Sequence, residues 1–146
     1  MEENKIVVYA YVVGDIIHIG HLNHLKKAKG RGDYLIVGVL TDEATMEKKP
    51  KPIIPFKERL ETIKALRVVD EAIPQETYSP IENVKRIKPN ILMESESHAP
   101  KDIKEAKKVV ESYGGEVIVS SYYSPQSSTA IKNKINNLWN KKQQEH

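Results

Sequence analysis

The feature that most constrains this chain is an alternation: short β-branched runs, each about one strand long, separated by stretches whose apolar residues recur at helical spacing. The runs are KIVVYAYVV (5–13), DYLIVGVL (33–40), NILME (90–94) and EVIVSSYY (116–123), with a weaker one at VVDEAIP (68–74). Unbroken apolar character marks strands buried on both faces, the habit of parallel sheets. Between them Phe56, Leu60, Ile63 and Leu66 recur at i, i+4, i+7 and i+10, and Ile103, Ala106, Val109 and Val110 repeat the pattern, each set forming one apolar helix face. Pro100 stands where a first helical turn begins and Gly114-Gly115 where that helix must stop, and Ser79-Pro80 opens another. The expectation is an α/β fold built on a single doubly wound parallel five-stranded sheet. Ligands then bind at the carboxyl ends of the strands, and the first such end is residues 12–21.

Length allows one domain with its own core, expected over residues 1–140, followed by a polar tail, 141–146, that frays. The net charge of +3 is the small difference between 23 basic and 20 acidic residues, so no global field points to nucleic acid or membrane. Any anion site must be local. The absence of cysteine excludes disulfides, a thiolate nucleophile and cysteine zinc sites, and suits the cytoplasm. The acidic start and strand-sized apolar run give no expectation of a signal peptide or a membrane span.

That first strand end carries GDIIHIGHLNHLKKAKGRGD (14–33), with three of the five histidines. A helix N-terminus offers unpaired N–H groups and the positive end of the helix dipole, which together favour an anion. His18 and His21 are three apart, so both rings can share one side of the first turn, and Gly20 between them lets an anion approach the backbone. The pair is therefore read as a phosphate site. His24 lies beyond the first turn and is read as helix surface or packing. A second cluster, MEKKPKPIIPFKER (46–59), sets Lys48, Lys49 and Lys51 among three prolines that stiffen a loop presenting cations. Near the end, Ser127, Ser128 and Thr129 open a last helix with apolar positions Ile131, Ile135 and Leu138; their hydroxyls can bind phosphate or cap the helix.

With the HIGH tetrad of His18 to His21 inside VVGDIIHIGHLNHLKKAKGRGDYLIVGVLTDE, the chain resembles the nucleotidyltransferase superfamily, specifically cytidylyltransferases related to glycerol-3-phosphate cytidylyltransferase. The resemblance continues through Gly32-Asp33, Thr41-Asp42-Glu43, Lys48, Arg59 and RVVDEAIP from Arg67, covering about residues 5–100. VGVLTDEA (37–44) and IPQET (73–77) also resemble phosphonate cytidylyltransferase domains. Class I aminoacyl-tRNA synthetases share HIGH, but the chain is too short for one and has no KMSKS-like loop.

The resemblance implies that a phosphate oxygen of an acceptor attacks the α-phosphorus of CTP and pyrophosphate leaves. It implies catalytic roles for His18, His21 and Lys48. Nucleotide contacts fall to Val13, Gly14, Asp15, Gly20, Arg67, Glu96, Tyr122, Ser127, Ser128 and Thr129, and acceptor contacts to Lys51 and Arg59. Arg59 and Arg67, eight apart, are expected on one helix face. Mg²⁺ is expected among phosphate oxygens rather than on protein ligands, and the partners are CTP, a small phosphate or phosphonate and a second copy of the chain. Two segments depart from the family pattern: ESES (94–97) stands where GDDW is usual, retaining an acid at Glu96, and YYSPQSST (122–129) where RTEGISTT is usual, with Tyr122 for the arginine. The alternatives are an adenylyltransferase using ATP on a vitamin-derived phosphate and a nucleotide-binding regulator without turnover.

Overall fold

A computed structural model describes residues 5–121 and 127–144. In chain order it contains β1 (Val7–Val12), α1 (Ile19–Lys29), β2 (Tyr34–Leu40), α2 (Asp42–Met46), α3 (Phe56–Lys64), β3 (Glu71–Gln75), α4 (Ile81–Ile87), β4 (Ile91–Ser95), α5 (Pro100–Ser112), β5 (Glu116–Ser120) and α6 (Ser128–Gln144). The strands form one parallel sheet in the order β3-β2-β1-β4-β5. β1 is central: Val7 to Val12 pair with Tyr34 to Val39 on one side, and Val8 and Tyr9 with Ile91 and Leu92 on the other. The chain winds outward from β1 to β3, then crosses back to β4, so the direction of winding reverses between β1 and β4. That reversal opens a crevice at their carboxyl ends.

Alternate residues of the central strand serve two cores, as the period of two dictates. Val8 and Ala10 pack with Leu25 and Ala28 of α1 and Ile63 of α3 on one face. Tyr9 packs with Val84 of α4 and Ala106 and Val110 of α5 on the other. Each buried Val, Leu or Ile side chain among them contributes about 1.5–3 kcal/mol relative to exposure. The doubly wound expectation holds.

Three details differ from the sequence reading. Helix α3 stops at Lys64, after which Leu66 and Val69 donate to Ile63 O and Leu66 O in tighter turns, so Arg59 and Arg67 do not share a helix face. Helix α2 was not expected; Thr41 caps it by accepting from Ala44 N at 3.1 Å, and Asp42 and Glu43 occupy its first turn, favourable at a helix start. Helix α6 continues to Gln144 into the tail expected to fray, through Lys and Gln residues that favour helix. Among the described residues no helix is long and apolar enough to cross a membrane.

Candidate functional site

After β1 the chain must turn sharply to start α1, and Gly14 takes φ +71°, a conformation costly for a side-chain-bearing residue. Asp15 follows, 3 % exposed, and folds back over the turn. Its carboxylate accepts from Ile53 N at 3.0 Å and Ile54 N at 2.8 Å, and ion-pairs with Lys132 of α6. Burial pushes its pKa up, but the Ile54 N–H, Lys132 and the Ile53 N–H outweigh that and hold the carboxyl below its ordinary value. Asp15 thereby ties the proline-rich loop and the last helix to the strand end.

His18 is the N-cap of α1. Its Nδ1 accepts from Gly20 N at 3.0 Å, and His21 Nδ1 accepts from His18 N at 3.3 Å, a reciprocal capping box made of two imidazoles. The rings lie 4.1 Å apart between centroids. Because each Nδ1 is an acceptor, each neutral ring carries its proton on Nε2. Burial lowers the His18 pKa; burial, then the neighbouring His18, His24 and Lys49, lowers that of His21 to about 4. At neutral pH the pair is two fixed, uncharged N–H donors. The Gly20 N–H is held by His18, so the anion donors here are the imidazoles and not that backbone group.

His18 and His21 line a cavity of about 550 Å³ at the carboxyl edge, together with Val13, Gly14, Asp15, Lys49, Lys51 and the start of α6, whereas Gly20, expected as a nucleotide contact, is not part of that lining. Ser127 and Ser128 reach it, although Ser127 Oγ also accepts from Ala130 N at 2.9 Å as a cap and Ser128 Oγ donates to Ile16 O at 3.2 Å. Thr129 lines the same end. His24 is not on the helix surface: it is 7 % exposed, packed inward and part of the lining, with a pKa lowered to about 4 by burial, then by His98 and Lys27.

Several expected contacts lie elsewhere. Arg59 is 1 % exposed and outside the lining; it donates to Val13 O at 2.6 Å, Leu40 O at 2.7 Å, Ile54 O at 3.0 Å and Asp42 Oδ1 at 2.7 Å. With its donors committed to the ends of β1 and β2 and to the loop, it is a strut that shapes the site rather than an acceptor ligand. Arg67 is exposed beyond the end of α3, and Glu96 is exposed in the turn after β4; neither is part of the lining. Lys48 pairs with Asp102 at 2.9 Å and sits 5.0 Å from the Tyr78 ring centroid, while its neighbour Lys49 lines the cavity. Tyr122 lies outside the described residues.

Tyr11, Tyr78, His98 and Lys132 were not singled out from the sequence, yet all line the cavity, as does Lys49, named there only as a member of the lysine cluster. The acid that β4 brings to this end is Glu94, 2 % exposed behind His98. One signal was readable: a glutamate ending an apolar strand run must find donors.

A family model described as cytidylyltransferase-like matches residues 14–134. The "Bifunctional protein HldE" of Geobacter metallireducens is 32 % identical over 133 residues, 90 % of this chain and 27 % of that protein. The chain thus spans about 27 % of the length of that relative. The "FAD synthase" of Methanohalophilus mahii is 46 % identical over 79 residues, 54 % of this chain and 55 % of that protein. The crystal structure of a lipopolysaccharide core biosynthesis protein from Thermoplasma volcanium superposes with a TM-score of 0.74 at 30 % identity, covering 83 % of this chain and 100 % of that one.

Proposed function

Because the chain belongs to the cytidylyltransferase-like family of the nucleotidyltransferase superfamily, we propose that it transfers a nucleotidyl group from a nucleoside triphosphate to a small phosphate or phosphonate acceptor. An acceptor oxygen forms a bond to the α-phosphorus, the bridging bond to the β-phosphate breaks, and pyrophosphate leaves. No covalent enzyme intermediate is required. Holding two anions in line and stabilising charge on the transferring and leaving oxygens is enough.

The observation that carries this reading is the imidazole pair. Two Nε2–H donors fixed at a helix start hold phosphate oxygens without bringing a cation that must first be desolvated, and their capping bonds hold them in place before the substrate arrives. Lys49, Lys51 and Lys132 supply positive charge around them. Asp15 is engaged by three protein donors, and among the described residues no group of three or more His, Cys, Asp or Glu side chains is placed to hold a metal ion. Mg²⁺ in this reading enters with the triphosphate and neutralises its oxygens.

For the nucleotide, the reading favours ATP over the CTP expected from the sequence. Residues 94–97 and 122–129 lack the usual cytidylyltransferase pattern, and the 46 % identical relative is an FAD synthase, named for a product that contains an adenylyl group. A homodimer and a cytoplasmic location belong to the same proposal; a monomeric mass by light scattering would remove the dimer.

The test is pyrophosphate release from each nucleoside triphosphate with Mg²⁺ and a panel of phosphate monoesters and phosphonates. His21→Ala is expected to lower kcat by roughly 100-fold while nucleotide affinity changes less. Binding without turnover across the panel would identify a regulator instead.

A further inference from the structure

Helix α6 is a long element without a buried face. It runs for 17 residues, yet no residue in it is buried. Among the described residues its side-chain ties to the body lie at its start, where Ser128 Oγ donates to Ile16 O and Lys132 ion-pairs with Asp15. From there Ile131, Ile135, Leu138 and Trp139 recur at i, i+4, i+7 and i+8, one apolar stripe about 100° wide. Ile135, Leu138 and Trp139 are 59 %, 59 % and 60 % exposed. Single exposed apolar side chains are ordinary, but three adjoining ones on a helix that buries nothing mark a contact surface.

The charge around the stripe says what kind of surface it meets. Residues 117–144 contain Lys132, Lys134, Lys141 and Lys142 and no acidic residue, although the chain holds 20. At helical spacing Lys134 and Lys141 flank one side of the stripe, Lys132 flanks the other, and Lys142 lies within its distal end. From Asn133 onward the opposite face is asparagine and glutamine. Among the described residues Lys134, Lys141 and Lys142 form no ion pair. Lysine stems cover apolar surface while their ammonium groups reach outward, so cations border the stripe on both sides.

A second copy of the chain fits this surface poorly. Another α6 laid against the stripe brings lysines to lysines, and the three exposed side chains present on the order of a few hundred Å², roughly half of what one partner of a stable interface buries. The groove that a second copy offers between α1 and β5 is lined by Lys27 and Arg31 beside Ile118 and Val119, again like charge. An anionic bilayer meets each requirement: it takes a convex apolar ridge without a matching groove, seats tryptophan at the headgroup level and pairs with lysines on both flanks. We propose that α6 lies in the surface of a membrane containing anionic phospholipid, with Ile135, Leu138 and Trp139 inserted and Lys134, Lys141 and Lys142 against the headgroups. The helix lies on the bilayer and does not span it. Because Ser127, Ser128 and Lys132 line the cavity, the site then sits within a helix length of that surface. The homodimer proposed above is built on another face. This inference does not depend on the nucleotidyl-transfer reading.

Trp139 is the chain's one tryptophan, so its emission reports on this helix alone. With the full chain at low salt, vesicles of phosphatidylcholine with about one third phosphatidylglycerol should shift that emission to the blue, and brominated acyl chains should quench it. Partitioning should be at least about tenfold stronger than to phosphatidylcholine alone, and should fall as salt is raised. Leu138→Asp should abolish the shift. Lys134→Glu combined with Lys141→Glu and Lys142→Glu should remove the anionic preference while leaving the apolar residues in place. All four positions are exposed and outside the cavity lining, so these variants keep the thermal midpoint of the body. Unquenched emission with anionic vesicles, or equal partitioning to both kinds, overturns the proposal. So does a dimer by light scattering that Leu138→Asp dissociates, since a second copy then covers the stripe.

Discussion

Lys132, near the start of α6, ion-pairs with Asp15, which opens the turn into α1, across 117 positions of chain. Because Asp15 also accepts from the Ile53 and Ile54 amides, this one carboxylate joins the strand end, the proline-rich loop and the last helix. Asp15→Ala should leave those two amides without their acceptor and release Lys132. The expected loss is about 1–3 kcal/mol of stability. Amide hydrogen exchange checks it: Ile53 and Ile54 should lose protection while the amides of β1 keep theirs. Unchanged protection would show that the loop is held by other contacts.

Arg59 makes a prediction that separates support from binding. Its guanidinium holds three backbone carbonyls and Asp42 in a buried position, so Arg59→Met leaves those acceptors unsatisfied. Removing one partner from such a buried network costs about 3–5 kcal/mol. The denaturation midpoint should fall by a corresponding amount. Arg59→Lys should recover only part of it, since one ammonium cannot span four oxygens. A variant with native stability but weakened acceptor binding would return Arg59 to the role expected from its sequence position.

Acid should destabilise the fold through buried histidines. The His21 and His24 pKa values are lowered from 6.5 to about 4, mainly by burial. Between those values the unfolded chain binds more protons than the folded one, so stability rises with pH through that window and is fully present above it. For His24, 7 % exposed, the loss on going down through the window is up to about 3 kcal/mol. Asp15, held below 3.8, adds its own loss at still lower pH. Urea midpoints at pH 7, 6 and 5 should fall in that order, and His24→Gln should flatten the dependence.

The legible part of this molecule was what local pattern decides. Apolar runs gave the strands, Pro100 and the Gly114-Gly115 pair bracketed α5, and the spacing of His18 and His21 placed them at a helix start. Side-chain direction in loops and after helix ends was not legible. Whether Lys48 or Lys49 faces the cavity depends on where Asp102 and Tyr78 sit, and both come from elsewhere in the chain. Arg59 is expected from the resemblance as an acceptor contact, and only the convergence of two strand ends and a loop makes it an interior strut. The Tyr11, Glu94 and His98 cluster joins residues up to 87 positions apart, beyond any local period.

The lysine loop supplies a contrast between neighbours. Lys48 is exposed and already paired with Asp102, whereas Lys49 and Lys51 line the cavity. Lys49→Ala and Lys51→Ala should each weaken triphosphate binding by roughly threefold, the scale of a partly exposed ion pair, with a larger effect at low salt. Lys48→Ala should do less. Titrations over a range of KCl concentrations check this. A dominant, salt-dependent effect of Lys48→Ala would mean that the lysine leaves Asp102 when nucleotide binds.

Base choice is the sharpest prediction, because the phosphate machinery is silent about it. Imidazole Nε2–H groups and lysines meet oxygens common to every nucleoside triphosphate, so selectivity must come from the rim. There Ser95 and Ser97 bracket the exposed Glu96 after β4, with the two serine hydroxyls 2.8 Å apart. The Ser97 N–H donates to Ser95 Oγ at 3.2 Å and the Glu96 N–H to Ser120 O at 3.2 Å, so the turn's own amides are engaged internally. Cytosine requires donors for its O2 and N3, and those engaged amides are poor candidates. Each missing partner would cost about 1–3 kcal/mol against a fully paired base. Competition among ATP, CTP, GTP and UTP, read as kcat/KM with a working acceptor, should place ATP first and CTP behind it by about tenfold or more, the consequence of one unmet partner. If CTP wins, the ATP reading is overturned, and Tyr122→Ala, at a position expected from the sequence to contact the nucleotide, should lower CTP use selectively.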